Sequence, residues 1–196
     1  MINKIYKIMP EDLQLQVQQL QQQVEKLQKS VTKMQNSRKD QLSIACVSGD
    51  MDKILATMII SIAAASMDTK VKIFFSFWAL SALRDKNKNP KGKDFISKMF
   101  GMMLPKGKNQ LKLSNMNMAG MGPMMIKYLM KKHNVLSLDE MFKTAGELGV
   151  EIIVCEMSMD LMGFKKEEFI DYPHFKYAGA ATFVTDAGES AAQLFV

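Results

Sequence analysis

Three short runs of β-branched and aromatic residues set the terms on which this chain can fold: LSIACV at 42–47, VKIFFSF at 71–77 and VEIIVC at 150–155. Each is short and largely apolar, the pattern of a strand buried on both faces. The intervals between them are long enough for helices. Residues 51–67 read as a buried helix behind Ser48-Gly49-Asp50, and Leu138, Met141, Phe142, Ala145 and Leu148 recur at helical spacing ahead of the third run. Strands separated by helix-length segments need crossover connections, which predicts a parallel sheet with right-handed crossovers. Two weaker runs, at 175–177 and 192–196, bring the predicted sheet to five strands.

Ahead of this pattern lies a different one. Leu13, Val17, Leu20, Val24, Leu27, Val31 and Met34 alternate four and three apart, with Val at a and Leu or Met at d. Such a heptad seam favours parallel dimers, and Pro10, Glu11 and Asp12 mark its helix start. The flanking positions are nearly all glutamine, so charge does not choose the partner. The expected organisation is a coiled-coil arm at 1–40, which assembles copies of the chain, followed by an α/β domain at 41–196.

Between the second and third strands lie about seventy residues, far more than one crossover helix requires. This insertion, 84–135, collects methionines in FGMMLPKG and NMNMAGMGPMMIKYLM, with short helices expected near 94–103 and 123–132. Flexible thioethers suit adaptable apolar surfaces, so the segment is expected to serve as a lid or a partner-binding face. Charge is concentrated here as well. Residues 84–112 hold nine Lys or Arg against two Asp, and nine minus two gives +7, which exceeds the +6 of the whole chain. A local basic patch points to an acidic or anionic partner, and the lack of aromatics among the lysines of 84–93 argues against nucleic acid.

Two cysteines cannot form a disulfide framework, and the first thirty residues contain no signal-peptide pattern. The longest apolar run, 54–67, is too short to span a bilayer. A cytoplasmic protein without a transmembrane segment, with both thiols free, is expected. Neither His133 nor His174 has neighbours that resemble a triad or a metal signature, so no metal or cofactor is expected. Ser48-Gly49-Asp50 is placed to cradle an anion at a helix start, although it lacks the glycine density of a phosphate loop.

Cys155 closes the third strand. In open α/β sheets ligands bind beyond the carboxyl ends of the strands. A thiol there, ahead of a helix capped by Ser158 or Asp160, would feel the positive helix end, and Glu156 and Asp160 would oppose it. Cys155-Glu-Met-Ser-Met-Asp-Leu-Met-Gly163 resembles the signature of the DsrE/DsrF-like sulfur-carrier family, in its long insertion-bearing branch. LSIACVSGDMDK, FFSFWAL, FGMMLPKG, LSNMNMAGMG and AGAATFVTDAGES extend the likeness over most of 42–196.

The resemblance implies a flavodoxin-like sheet with helices on both faces, homo-oligomers, and a persulfide carried on Cys155 between sulfur donors and acceptors, whether sulfurtransferase proteins, small persulfides or thiosulfate. Ser158, Asp160, Gly163, Ser48, Gly49 and Asp50 would shape the site. In the flavodoxin strand order 2-1-3-4-5 the first and third strands are neighbours. Cys46 and Cys155 would then end adjacent strands about 4.8 Å apart, placed to relay sulfur or to close a disulfide that releases sulfide from a Cys155 persulfide, unless strand alternation turns Cys46 into the core. Two competing readings are a Cu(I) chaperone or sensor built on Met116, Met118, Met121, Met124 and Met125, and a scaffold with inert thiols.

Overall fold

The computed structural model describes residues 10–37, 39–90 and 95–196, in two compact units, 1–39 and 40–196. Lys91 and Lys93 of the insertion lie outside the described residues. Among the described residues the first unit holds the helix α1 (Glu11–Ser37), in which Leu13, Leu20, Val24, Leu27 and Val31 are exposed. The side chain of Met34 is not among those described.

The second unit alternates strands and helices: β1 (Lys39–Cys46), α2 (Met51–Ala65), β2 (Lys70–Phe75), α3 (Phe95–Met103), α4 (Met121–Lys132), α5 (Leu138–Glu147), β3 (Glu151–Cys155), α6 (Glu156–Leu161), β4 (Phe175–Ala178), α7 (Ala180–Glu189) and β5 (Ser190–Phe195). All five strands join one sheet in the order β4-β3-β2-β1-β5. The pairs β1–β2, β2–β3 and β3–β4 are parallel. Val196 N donates to Ala45 O at 2.8 Å and Val47 N to Val196 O at 2.9 Å, the slanted pattern of a parallel pair.

This order corrects one expectation. β1 and β3 are not neighbours, because β2 stands between them. The chain steps in one direction from β1 to β4 and then reverses to place β5 beyond β1. Right-handed crossovers translate that reversal into layers: steps in one direction put their helices on one face, and the return puts its helix on the other. Accordingly Ile44, Ile73, Phe75, Ile152 and Val154 share a buried cluster with Met58 of α2 and Phe142 of α5, whereas Phe74, Ile153 and Cys155 form a second cluster with Phe183 of α7.

The insertion is tied to the domain by a buried cation. Arg84 Nη2 donates to Glu168 Oε2 at 3.1 Å and to the Gly101 carbonyl at 3.0 Å, while Nη1 reaches the Leu104 and Pro105 carbonyls at 3.2 Å each. The guanidinium also lies 4.7 Å from the centre of the Phe164 ring. α5 is opened by a capping box, in which the Ser137 hydroxyl accepts from Glu140 N and Ser137 N donates to Glu140 Oε2.

Candidate functional site

β1, β2 and β3 are parallel, so their carboxyl ends meet at one edge of the sheet, and the residues singled out by sequence gather there. Cys46, Phe75 and Val154 lie in one transverse row, and Cys155 is one residue further along. Side chains alternate along a strand, so Cys46 points into the α2/α5 face with Phe75 and Val154, and Cys155 points to the α7 face. The two thiols are separated by a strand and by the thickness of the sheet. Direct transfer between them, expected from adjacent strands, does not fit this arrangement.

Cys155 is 1% exposed and serves as the N-cap of α6, a role the sequence pattern assigned to Ser158 or Asp160. Ser158 is instead buried inside the helix, its hydroxyl 2.7 Å from that of Ser76 at the end of β2. This contact fixes the first turn of α6 against the neighbouring strand. Asp160 is exposed. Gly163 closes the turn after α6 with φ +63°, and a Cβ there would lie 1.9 Å from Ser97 Oγ, so only glycine lets α3 seat against it.

The cover over Cys155 comes from α7. Cys155 is in register with Ala178, and the next residue, Gly179, is the N-cap of α7 without a side-chain cap bond. The start of that helix therefore lies alongside the strand end that carries the thiol. Phe183, one turn in, stacks on Phe74 with ring centres 5.5 Å apart and joins the apolar cluster around Cys155. The other end of α7 is held by polar contacts. Gln41 Nε2 donates to Ser190 Oγ at 2.9 Å and to the Asp186 carbonyl at 3.2 Å, and Lys72 pairs with Asp186.

Ser48-Gly49-Asp50 sits beyond β1. The Ser48 hydroxyl donates to Asp50 Oδ2 at 2.9 Å and accepts from Asp50 N at 3.2 Å. The loop thus places a carboxylate at the start of α2, where an anion was expected. Gly49 is required for close packing, since a Cβ would come within 2.5 Å of the Trp78 carbonyl oxygen.

Cys46 is fully buried, 3.7 Å from the donating hydroxyl of Thr57. Burial pushes its pKa up to about 11, only partly offset by Thr57, so the thiol is protonated at neutral pH. A raised folded-state pKa contributes stability that is complete below the unfolded value near 9.0 and is lost as pH rises through about 11. Denaturant titrations across that window should show wild type losing stability that Cys46→Ala does not lose. An identical pH dependence in both would contradict this.

Among the described residues, no group of three or more His, Cys, Asp or Glu side chains is placed to hold a metal ion. The thioethers of Met116, Met118, Met121, Met124 and Met125 are all exposed. No described helix is long and apolar enough to cross a membrane.

Residues 38–195 match the model of the DsrE/DsrF/DrsH-like family. The chain belongs to that family. It is 46% identical over 154 residues to the YrkE protein of Bacillus subtilis, covering 79% of this chain and 95% of that one. It is 34% identical over 163 residues to the sulfur carrier protein DsrE2 of Allochromatium vinosum, covering 80% and 98%. Among solved structures, the crystal structure of the YchN protein from E. coli is similar with a TM-score of 0.48 at 10% identity, over 80% of this chain and 98% of that chain.

Ser76, Phe183 and the Arg84–Glu168 pair escaped the sequence reading. Glycine followed by an apolar run at 179–184 was a usable signal for α7. Ser76 and Arg84 carried none, because nothing in their local sequence reveals a partner more than eighty positions away.

Proposed function

We propose that this protein is a sulfur-relay carrier that holds sulfane sulfur as a persulfide on Cys155. The observation that carries the reading is the position of Cys155 at the strand-end edge of a parallel sheet, where α/β folds bind ligands. Family membership and the likeness to a sulfur carrier protein support it. The transfer needs no acid–base machinery. The Cys155 thiolate attacks the outer sulfur of a donor persulfide, the donor thiolate leaves, and Cys155 persulfide results. An acceptor thiolate then attacks the outer sulfur and Cys155 thiolate departs, so the cycle involves no net oxidation.

Burial shapes this chemistry. A persulfide under Phe74 and Phe183 is shielded from water and oxidants, and sulfur passes only when the start of α7 moves aside. Cys46 takes no direct part, since its thiol is on the opposite face and is held protonated. The reading is tested by incubating reduced protein with glutathione persulfide, desalting it, and treating it with cyanide. About one thiocyanate per chain is expected, because cyanide removes sulfane sulfur; none would overturn the reading.

α1 serves assembly in this account. Its exposed seam of Leu13, Leu20, Val24, Leu27 and Val31 is the surface that parallel pairing would bury. Removing 1–39 should lower the number of chains per assembly seen by light scattering, or destabilise the assembly, while leaving Cys155 able to take up sulfur. An unchanged assembly would reject a coiled-coil role.

A further inference from the structure

Two helices of the insertion carry nine of the domain's exposed large apolar side chains. On α3 the exposed Phe95, Met99, Met102 and Met103 fall at i, i+4, i+7 and i+8. On α4 the exposed Met121, Met124, Met125, Tyr128 and Leu129 fall at i, i+3, i+4, i+7 and i+8. Each set is the single stripe that an amphipathic helix ordinarily buries. Here both stripes face outward, with Met102 84% and Met124 71% exposed. Other contacts hold the helices in place. Arg84 grips the Gly101 carbonyl of α3, and the buried Gly122 and Pro123 seat α4.

Charge accompanies the stripes. Lys98 lies on α3, Lys131 and Lys132 end α4, Lys112 lies between the helices, and all four are exposed. Acids also lie in this region: Glu140 lines the same cavity as Lys127 and Lys131, Asp139 pairs with Lys108, Glu156 pairs with Lys166, and Asp160 on α6 is exposed. We propose that these two stripes dock the domain on an anionic lipid surface. The inference goes beyond the carrier reading and does not depend on it. Outward ridges of flexible thioethers and aromatic rings flanked by lysine suit an interface that needs no matching groove. Lysine stems can lie along the apolar boundary while their ammonium groups reach lipid phosphates. Neither helix is long enough to span a bilayer, so the docking would be peripheral.

The test is flotation of the full-length protein with phosphatidylcholine vesicles, with and without phosphatidylglycerol. Wild type should float with the anionic vesicles only, and high salt should release it. Met102→Glu combined with Met124→Glu should abolish flotation with an unchanged circular dichroism spectrum. Lys131→Gln and Lys132→Gln should each weaken binding roughly fivefold. Absence of flotation by wild type, or equal flotation by the double glutamate variant, would overturn the proposal. It would also fail if wild type ignored vesicles and the glutamate variant sedimented as a smaller species, because the stripes would then join copies of the chain.

Discussion

Arg84→Ala will cost about 3–5 kcal/mol of folding stability and lower the thermal midpoint by roughly 6–20 °C. The guanidinium and the Glu168 carboxylate are both almost completely buried. Removing the cation leaves an uncompensated buried charge and strips donors from the carbonyls of Gly101, Leu104 and Pro105. Arg84→Lys will rescue little, because one ammonium cannot reproduce the fork that joins the Glu168 carboxylate to three backbone carbonyls. A double change to Arg84→Met with Glu168→Leu will recover the charge penalty but not the orphaned carbonyls, so it will fall between wild type and Arg84→Ala. Circular dichroism melts of the four proteins check this. Equal midpoints for Arg84→Ala and wild type would mean that the insertion is not held through this pair.

The sheet was legible because its strands are written in a local code. LSIACV, VKIFFSF and VEIIVC need no distant partner to be read as buried strands, and β1, β2 and β3 occupy those stretches. Their lateral order is not a local property. A seventy-residue connection is long enough to put β3 beside either β1 or β2, and the sequence does not say which. The flavodoxin strand order 2-1-3-4-5, carried over with the resemblance, supplied the wrong neighbour for Cys46. The face of the sheet on which each thiol falls follows from strand alternation once register is known, and register is fixed by pairing. Cys155 was found through its place at a strand end followed by an unusual motif. The source of its cover was not legible, since Phe183 comes from the far end of the domain sequence.

Cys155→Ser will abolish sulfur loading, the largest functional effect expected of any single change. The substitution replaces a buried thiol by a hydroxyl of similar shape, so the fold and the Ser76–Ser158 contact should survive, while no nucleophile able to hold sulfane sulfur remains on the α7 face. Cys46→Ser alters the opposite face and should leave loading intact. Phe183→Ala should act in the other direction, opening the cover and speeding both loading and loss of sulfur.

The most direct measurement is peptide mass spectrometry of wild type, Cys46→Ser and Cys155→Ser after anaerobic incubation with glutathione persulfide, with free thiols and persulfides trapped by iodoacetamide. The account predicts one added sulfur atom on the Cys155 peptide in wild type and in Cys46→Ser, and none on any peptide of Cys155→Ser. Sulfur retained by Cys155→Ser and lost from Cys46→Ser would contradict it.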